Sequence, residues 1–249
     1  GNLPVLQYAL ANRCVSNNGA INGATANGQT HIVRWVFERW PAICSQYANR
    51  LLVLAAASGQ NNVIDFLLAQ NADINPPWAT FETTPLVAAT NNNHVHTVQH
   101  LLRCGALPDT AERHREALGV AASRGHAKIV QILLEAGAFA DKADLGGNTP
   151  LMIASQRGHT DVVRCLLNRL AMQGVNMAND AGNTSLIYAS EYGHEGVVRL
   201  LLERRASVAR RSGSGGGALL SACKNGHIAV ARLLLDSGAD TSIEDYTHR

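Results

Sequence analysis

Histidine, cysteine, arginine and glycine are the residues of this chain with chemistry to offer, and their spacing decides what chemistry that is. Five histidines (His94, His126, His159, His194 and His227) follow one another at intervals of 32, 33, 35 and 33 residues. Metal ligands must converge within about 2 Å of one ion. Groups one such interval apart in a stacked helical array lie about 10 Å apart, the spacing of packed helices. These histidines therefore read as structural, close to a turn between helices. His96, His100 and Cys104 stand at i, i+4 and i+8, on one helix face. Two of them could hold zinc, but the slot of His100 is filled elsewhere in the chain by Trp35, Phe66, Ile132, Cys165, Leu200 and Leu233. A packed position and no metal site is the expectation.

Residues 213–218, GSGGGA, fit the loose glycine fingerprint of dinucleotide sites, yet no hydrophobic strand precedes them and no GK[ST] is present. They read as a glycine-rich turn and the most mobile one of the chain. Arg204-Arg205-Ala206-Ser207 fits the consensus of basophilic kinases. A phosphate there would add about two negative charges beside Arg204, Arg205, Arg210 and Arg211. Ser207 is thus a candidate phosphoacceptor, although serine is also natural at a turn. Asn183-Thr184-Ser185 matches a glycosylation acceptor but falls where a helix begins, so the structural reading prevails. Nothing resembles GxSxG, HExxH or a paired-carboxylate arrangement. The chain reads as a non-enzyme that calls for no cofactor.

What positions these residues is a repeated element. In TPLMIASQRGHTDVVRCLL, from Thr149 to Leu167, a Thr-Pro pair suits a helix N-cap and first position. Gly158 suits the left-handed stop of that helix. Val162, Val163, Leu166 and Leu167 then recur at the spacing of a second helix face. With Thr149 as offset zero, the pattern recurs at Gly19, Arg50, Thr84, Glu116, Thr184 and Gly217. Offset five is Ala in every copy, offset six is always small, and offset nine is Gly except for Asn93. Offsets seventeen and eighteen are Leu-Leu except for Val36-Phe37. A period near 33 residues with this content predicts an all-α solenoid of helix-turn-helix units.

TPLMIASQRGHTDVVRCLL and the GADTS that begins at Gly238 resemble the ankyrin repeat. The resemblance implies helix pairs joined by short hairpin fingers, about seven repeats after an N-terminal half repeat. It divides the single array into 1–18 (partial), 19–49, 50–83, 84–115, 116–148, 149–183, 184–216 and 217–249. The histidine of the family's TPLH signature is replaced by Val87, Gly119, Met152, Ile187 and Leu220. That substitution removes a bond between neighbouring fingers and predicts a looser array.

Composition narrows the setting. Hydrophobic residues make up 46% of the chain but aromatic ones only 5%, so the core is Leu, Val and Ala. A net charge of +2 is too balanced to argue for nucleic acid from the whole chain. Five scattered cysteines without a CxxC read as reduced thiols of an intracellular protein, cytoplasmic or nuclear. No apolar run reaches membrane-spanning length and no signal-peptide pattern opens the chain, so membrane insertion is not expected. Trp35, Phe37 and Trp40 in the first copy are expected to seal the N-terminal end, with Pro41 ending their helix. Residues 170–176, LAMQGVN, carry two extra residues and predict a bulge. The last copy shows no polar replacement of its apolar positions. An excised fragment of a longer protein, or a covered C-terminal end, is the expectation.

In ankyrin-like proteins partners commonly lie on the concave side, formed by fingers and first helices. Carried over by position, that side should hold Tyr47, Trp78, Phe81, Arg113, Arg115, Arg124, Arg157 and Tyr192. Aromatic and arginine residues dominate binding hot spots. The resemblance thus implies a scaffold for a protein or peptide with an apolar anchor and acidic or phosphorylated residues. The competing reading is polyanion or nucleic-acid binding through Arg113, Arg115, Arg124 and Arg157, which the balanced net charge disfavours.

Overall fold

Two neighbouring first helices can approach closely only where their contact face carries small side chains, and offsets five and six supply them. In the computed structural model, Ala24, Ala55, Ala89, Ala121, Ala154, Ala189 and Ala222 are all buried. The structure describes Pro4 and residues 17–76, 83–109, 116–213 and 215–241; of 17, 18 and 42–46 only the backbone is described. All regular elements among the described residues are helices, in two compact units, residues 1–108 and 109–249.

In the first unit the helices are α1 (Asn17–Ala26), α2 (Thr30–Arg39), α3 (Pro41–Ala57), α4 (Asn61–Ala69), α5 (Pro85–Asn91) and α6 (Val95–Arg103). The first helices α1, α3 and α5 pack in succession, and α2 packs on α4 behind them. The expected boundary between residues 49 and 50 falls inside α3. Pro41 occupies the first turn of that 17-residue helix, and no glycine or further proline interrupts it before Ala57. Tyr47 accordingly stands on a helix and not on a hairpin finger. Phe37 is buried edge-on against Phe66 of the next pair, ring centroids 5.2 Å apart, and Trp35 meets Trp40 edge-on at 5.7 Å.

In the second unit the first helices are α7 (Ala117–Arg124), α9 (Pro150–Arg157), α12 (Ser185–Glu191) and α14 (Ala218–Lys224). Their partners are α8 (Ala127–Glu135), α10 (Thr160–Leu167), α13 (Glu195–Glu203) and α15 (Ile228–Asp236). The two rows stack separately, first helix on first helix and second on second. The extra residues of 170–176 coil into the four-residue helix α11 (Met172–Val175).

Two local rules set the ends of these helices. Thr84, Thr149 and Thr184 each accept a hydrogen bond from the third following amide through Oγ1, at 3.2 to 3.3 Å. Every offset-nine residue is left-handed, from Gly28 (φ 70°) to Gly226 (φ 73°), and Asn93 (φ 59°) does the same where glycine is missing. The apolar faces of the second helices close the core. Val36, Leu67, Leu101, Leu133, Leu166, Leu201 and Leu234 are all buried. In α15, Ile228 is 68% exposed and Leu235 45%.

Candidate functional site

The geometry of the recurring histidines decides whether they are free for chemistry. Nε2 of His94 donates to the carbonyl of Ala57 at 2.9 Å. His159 donates to Ser123 at 3.1 Å, His194 to Gln156 at 3.0 Å and His227 to Glu191 at 3.0 Å. Each acceptor lies near the C-terminus of the preceding first helix, where carbonyls lack an intrahelical partner. Since a carbonyl oxygen only accepts, Nε2 must carry the proton. The imidazole also lies over the preceding offset-nine glycine. A Cβ at Gly193 would come within 2.5 Å of His227, and one at Gly158 within 2.6 Å of His194. These histidines join one repeat to the next. Gln60 performs the same task without a ring, donating from Nε2 to Ala26 O at 3.1 Å.

The fingers of the second unit are similarly tied. Asp144 Oδ1 accepts from the amides of Gly146 and Asn148, and Asn179 Oδ1 from those of Ala181 and Asn183, closing two hairpins. Asp180 N donates to Gly146 O at 3.2 Å and Gly213 N to Ala181 O at 2.8 Å, so each finger bonds to the next. Asn179 Nδ2 reaches Asn148 Oδ1 at 2.7 Å and Tyr188 Oη at 2.9 Å. These links stand in place of the missing TPLH histidine. The glycine-rich turn, expected to be the most mobile, holds an antiparallel bridge between Arg211 and Gly217.

On the face made by fingers and first helices, Arg124, Arg157 and Tyr192 occupy offset eight of successive copies, and all are exposed. Tyr192 is 49% exposed, stacks on His194 with centroids 6.3 Å apart, and accepts from Gln156 Nε2 at 3.4 Å. These three residues form one column. Tyr47 is also exposed, on α3 of the first unit. Trp78, Phe81, Arg113 and Arg115 lie outside the described residues. Ser207 is half-buried and its amide donates to Asn176 Oδ1 at 2.7 Å. Arg204 is engaged with Leu167 O and, at 2.7 Å, with Asn168 Oδ1. That arginine of the kinase motif already serves the C-terminal end of α10.

A cleft missed by the sequence reading opens on the same face. It encloses about 200 Å³ between α7, α9 and the Lys142–Asn148 finger. Val120, Pro150 and Ile153 line it with Gly119, and Lys142 pairs with Glu116 at its edge at 2.8 Å. The sequence signal was present. Offset three is Val87, Met152, Ile187 and Leu220 in other copies but Gly119 here, and a Cβ at Gly119 would meet only Ile153 Cδ1 at 3.9 Å. The missing side chain leaves the space.

A second group lies on the other helix row, in the first unit. His100 Nε2 donates to Asp65 Oδ1 at 2.6 Å, and Cys104 Sγ lies 3.8 Å from the same nitrogen. His96, grouped with His100 and Cys104 by its spacing, is not part of this set; Asp65 takes its place. His100 is half-buried, as expected of its slot, but its neighbour is a carboxylate. Burial and the Asp65 carboxylate push the Cys104 thiol up from its ordinary value, against a smaller opposing effect of Arg103.

Stacked two-helix units with bridging fingers define a helical-repeat protein. The family description "Ankyrin repeats (3 copies)" matches residues 52–144, 139–212 and 174–245, so the chain belongs to the ankyrin-repeat family, a general protein–protein interaction fold. It is similar to the crystal structure of the ankyrin repeat domain of Bcl-3, described as a unique member of the IkappaB protein family. The likeness has a TM-score of 0.68 and 25% identity, and covers 78% of this chain and 88% of that one. No curated protein sequence matches the chain. No helix among the described residues is long and apolar enough to cross a membrane.

Proposed function

We propose that this protein is a non-enzymatic interaction scaffold of seven repeats after an N-terminal half repeat. Its partner lies across the fingers and first helices. The partner is a protein or peptide with an apolar anchor flanked by acidic residues. The single observation that carries this reading is the Gly119 cleft, which opens beside the exposed column of Arg124, Arg157 and Tyr192. A concave apolar space takes one side chain. Glu116, Asp144 and the Glu116-paired Lys142 are the charges at its rim. Acidic residues of the partner therefore fall to the exposed Arg124 and Arg157 instead. By their repeat positions in the sequence, Tyr47, Trp78, Phe81, Arg113 and Arg115 are further candidates for partner contact. Free thiols at Cys104, Cys165 and Cys223 support an intracellular setting.

A random peptide library selected against the full chain tests this. Enriched peptides should share an apolar residue with Asp or Glu nearby. They should lose affinity to the Trp78→Ala, Arg113→Ala double variant and to Arg157→Ala. Selection of acidic sequences without an apolar anchor, with a steep fall in affinity as salt rises, would favour the polyanion reading instead.

A further inference from the structure

We propose that Asp65, His100 and Cys104 form a binding site for a zinc-class divalent cation that clasps two successive second helices, α4 and α6. The three donor atoms lie within 4.8 Å of one another. Around one tetrahedral zinc, with bonds of about 2.0 Å to N and O and 2.3 Å to S, donor atoms stand about 3.3 to 3.7 Å apart. The observed 2.6 Å and 3.8 Å bracket that range, and with all three atoms within 4.8 Å closure needs side-chain shifts of about an ångström. Asp65 and Cys104 are exposed and free to make that adjustment.

The plainer reading is an exposed His–Asp pair, and it accounts for only two of the three groups. Nε2 has one proton to give. Once this proton is donated to Asp65, Cys104 Sγ at 3.8 Å is left with a weak contact at best. A cation at the point the three share satisfies all of them. The donor set also fits the ion: thiolate and imidazole favour zinc, whereas magnesium and calcium seek oxygen alone. On binding, the Cys104 S–H proton leaves to solvent and a Zn–S bond replaces it, while the neutral His100 ring moves its proton from Nε2 to Nδ1 so that a Zn–N bond forms at Nε2, with no change of oxidation state. The fourth position stays open to water.

Periodicity also sets these residues apart. Offset sixteen is aromatic, aliphatic or cysteine in every other copy, and His100 is the lone imidazole. Offset twenty is Arg39, Gln70, Ala136, Arg169, Arg204 and Ser237 elsewhere, and Cys104 is the lone thiol. Among the described residues, an acid, an imidazole and a thiol coincide only at the junction of α4 and α6. The repeat itself does not call for this triad.

Calorimetry and thermal unfolding of the full chain with zinc chloride under reducing conditions test the proposal, with cobalt(II) as a spectroscopic substitute. The expected results are binding at this site, a melting temperature that rises with zinc, and sulfur-to-cobalt charge-transfer absorption. Cys104→Ser should remove that absorption. Cys104→Ser, His100→Gln and Asp65→Asn should each weaken zinc binding by about tenfold or more, whereas His96→Gln should leave it unchanged. Asp65→Asn keeps a hydrogen-bond acceptor for His100, so a purely structural pair would hardly respond. Zinc binding and cobalt absorption that survive Cys104→Ser, absence of zinc binding, or equal stabilisation by magnesium would each overturn the proposal.

Discussion

The two units of this protein follow one period by different means. In the second, every junction between described repeats is made alike. A histidine bonds the preceding helix end, successive fingers exchange backbone hydrogen bonds, and short first helices alternate with hairpins. In the first, Gln60 replaces the histidine at one junction, His94 restores it at the next, and α3 extends back to Pro41 where a finger was expected. What both keep is the left-handed offset-nine residue, the buried offset-five alanine with a small residue after it, and the buried apolar residue at offset seventeen. Those features are therefore what the stack requires. The rest can vary, and function can occupy what varies.

The largest effect should come from breaking the shared feature. Alanine at Gly193 or Gly59 would be held at φ 71° or 74°, with its Cβ 2.5 Å or 2.9 Å from a histidine ring. The left-handed backbone costs about 1–2 kcal/mol and the displaced histidine bond about 1 more. We expect a loss of about 2–3 kcal/mol in either unit by denaturant titration. A much smaller loss at Gly59 would mean that the first unit does not rely on this joint.

Next in size is a change confined to the second unit. Gly119→Leu fills the cleft without disturbing the turn and should weaken a selected peptide by about 2 kcal/mol, with unchanged unfolding. The junction bonds come third. His194→Ala leaves the Gln156 carbonyl without its donor and should cost about 1–2 kcal/mol. Gln60→Ala should cost less, because the longer side chain gives up more rotamer freedom to make the same bond. The smallest effect is expected at offset six. The hydroxyls of Ser155 and Ser190 are buried without a hydrogen-bond partner, and Ala56 and Ala122 fill the same slot elsewhere. Ser155→Ala and Ser190→Ala should be neutral or stabilising by up to about 1 kcal/mol in thermal unfolding.

These contrasts show what a sequence can reveal. Helix pairs, their left-handed stops and their small contact residues were legible because a period repeats the same signal until it exceeds local variation. The structural role of the offset-ten histidines was legible for the same reason, though not their acceptors, since a carbonyl 36 to 38 residues away carries no side-chain signature. The start of α3 was hidden because Pro41 both ends one helix and begins another. The Asp65–His100–Cys104 group was only half visible. Helical spacing relates residues on one helix and pointed to His96, whereas the third donor comes from the neighbouring helix. The Gly119 cleft was overlooked although its signal was present, because Gly119 counted only as one more replacement of the TPLH histidine and the space it leaves depends on how Ile153 of the next repeat packs.

Hydrogen exchange of the full chain, alone and with a selected peptide, tests most directly whether the fingers and first helices read the partner. Protection should rise in the fingers and first helices from Glu116 to Tyr192, while the second helices α8, α10 and α13 stay unchanged. Protection confined to α8, α10 and α13 would contradict the account.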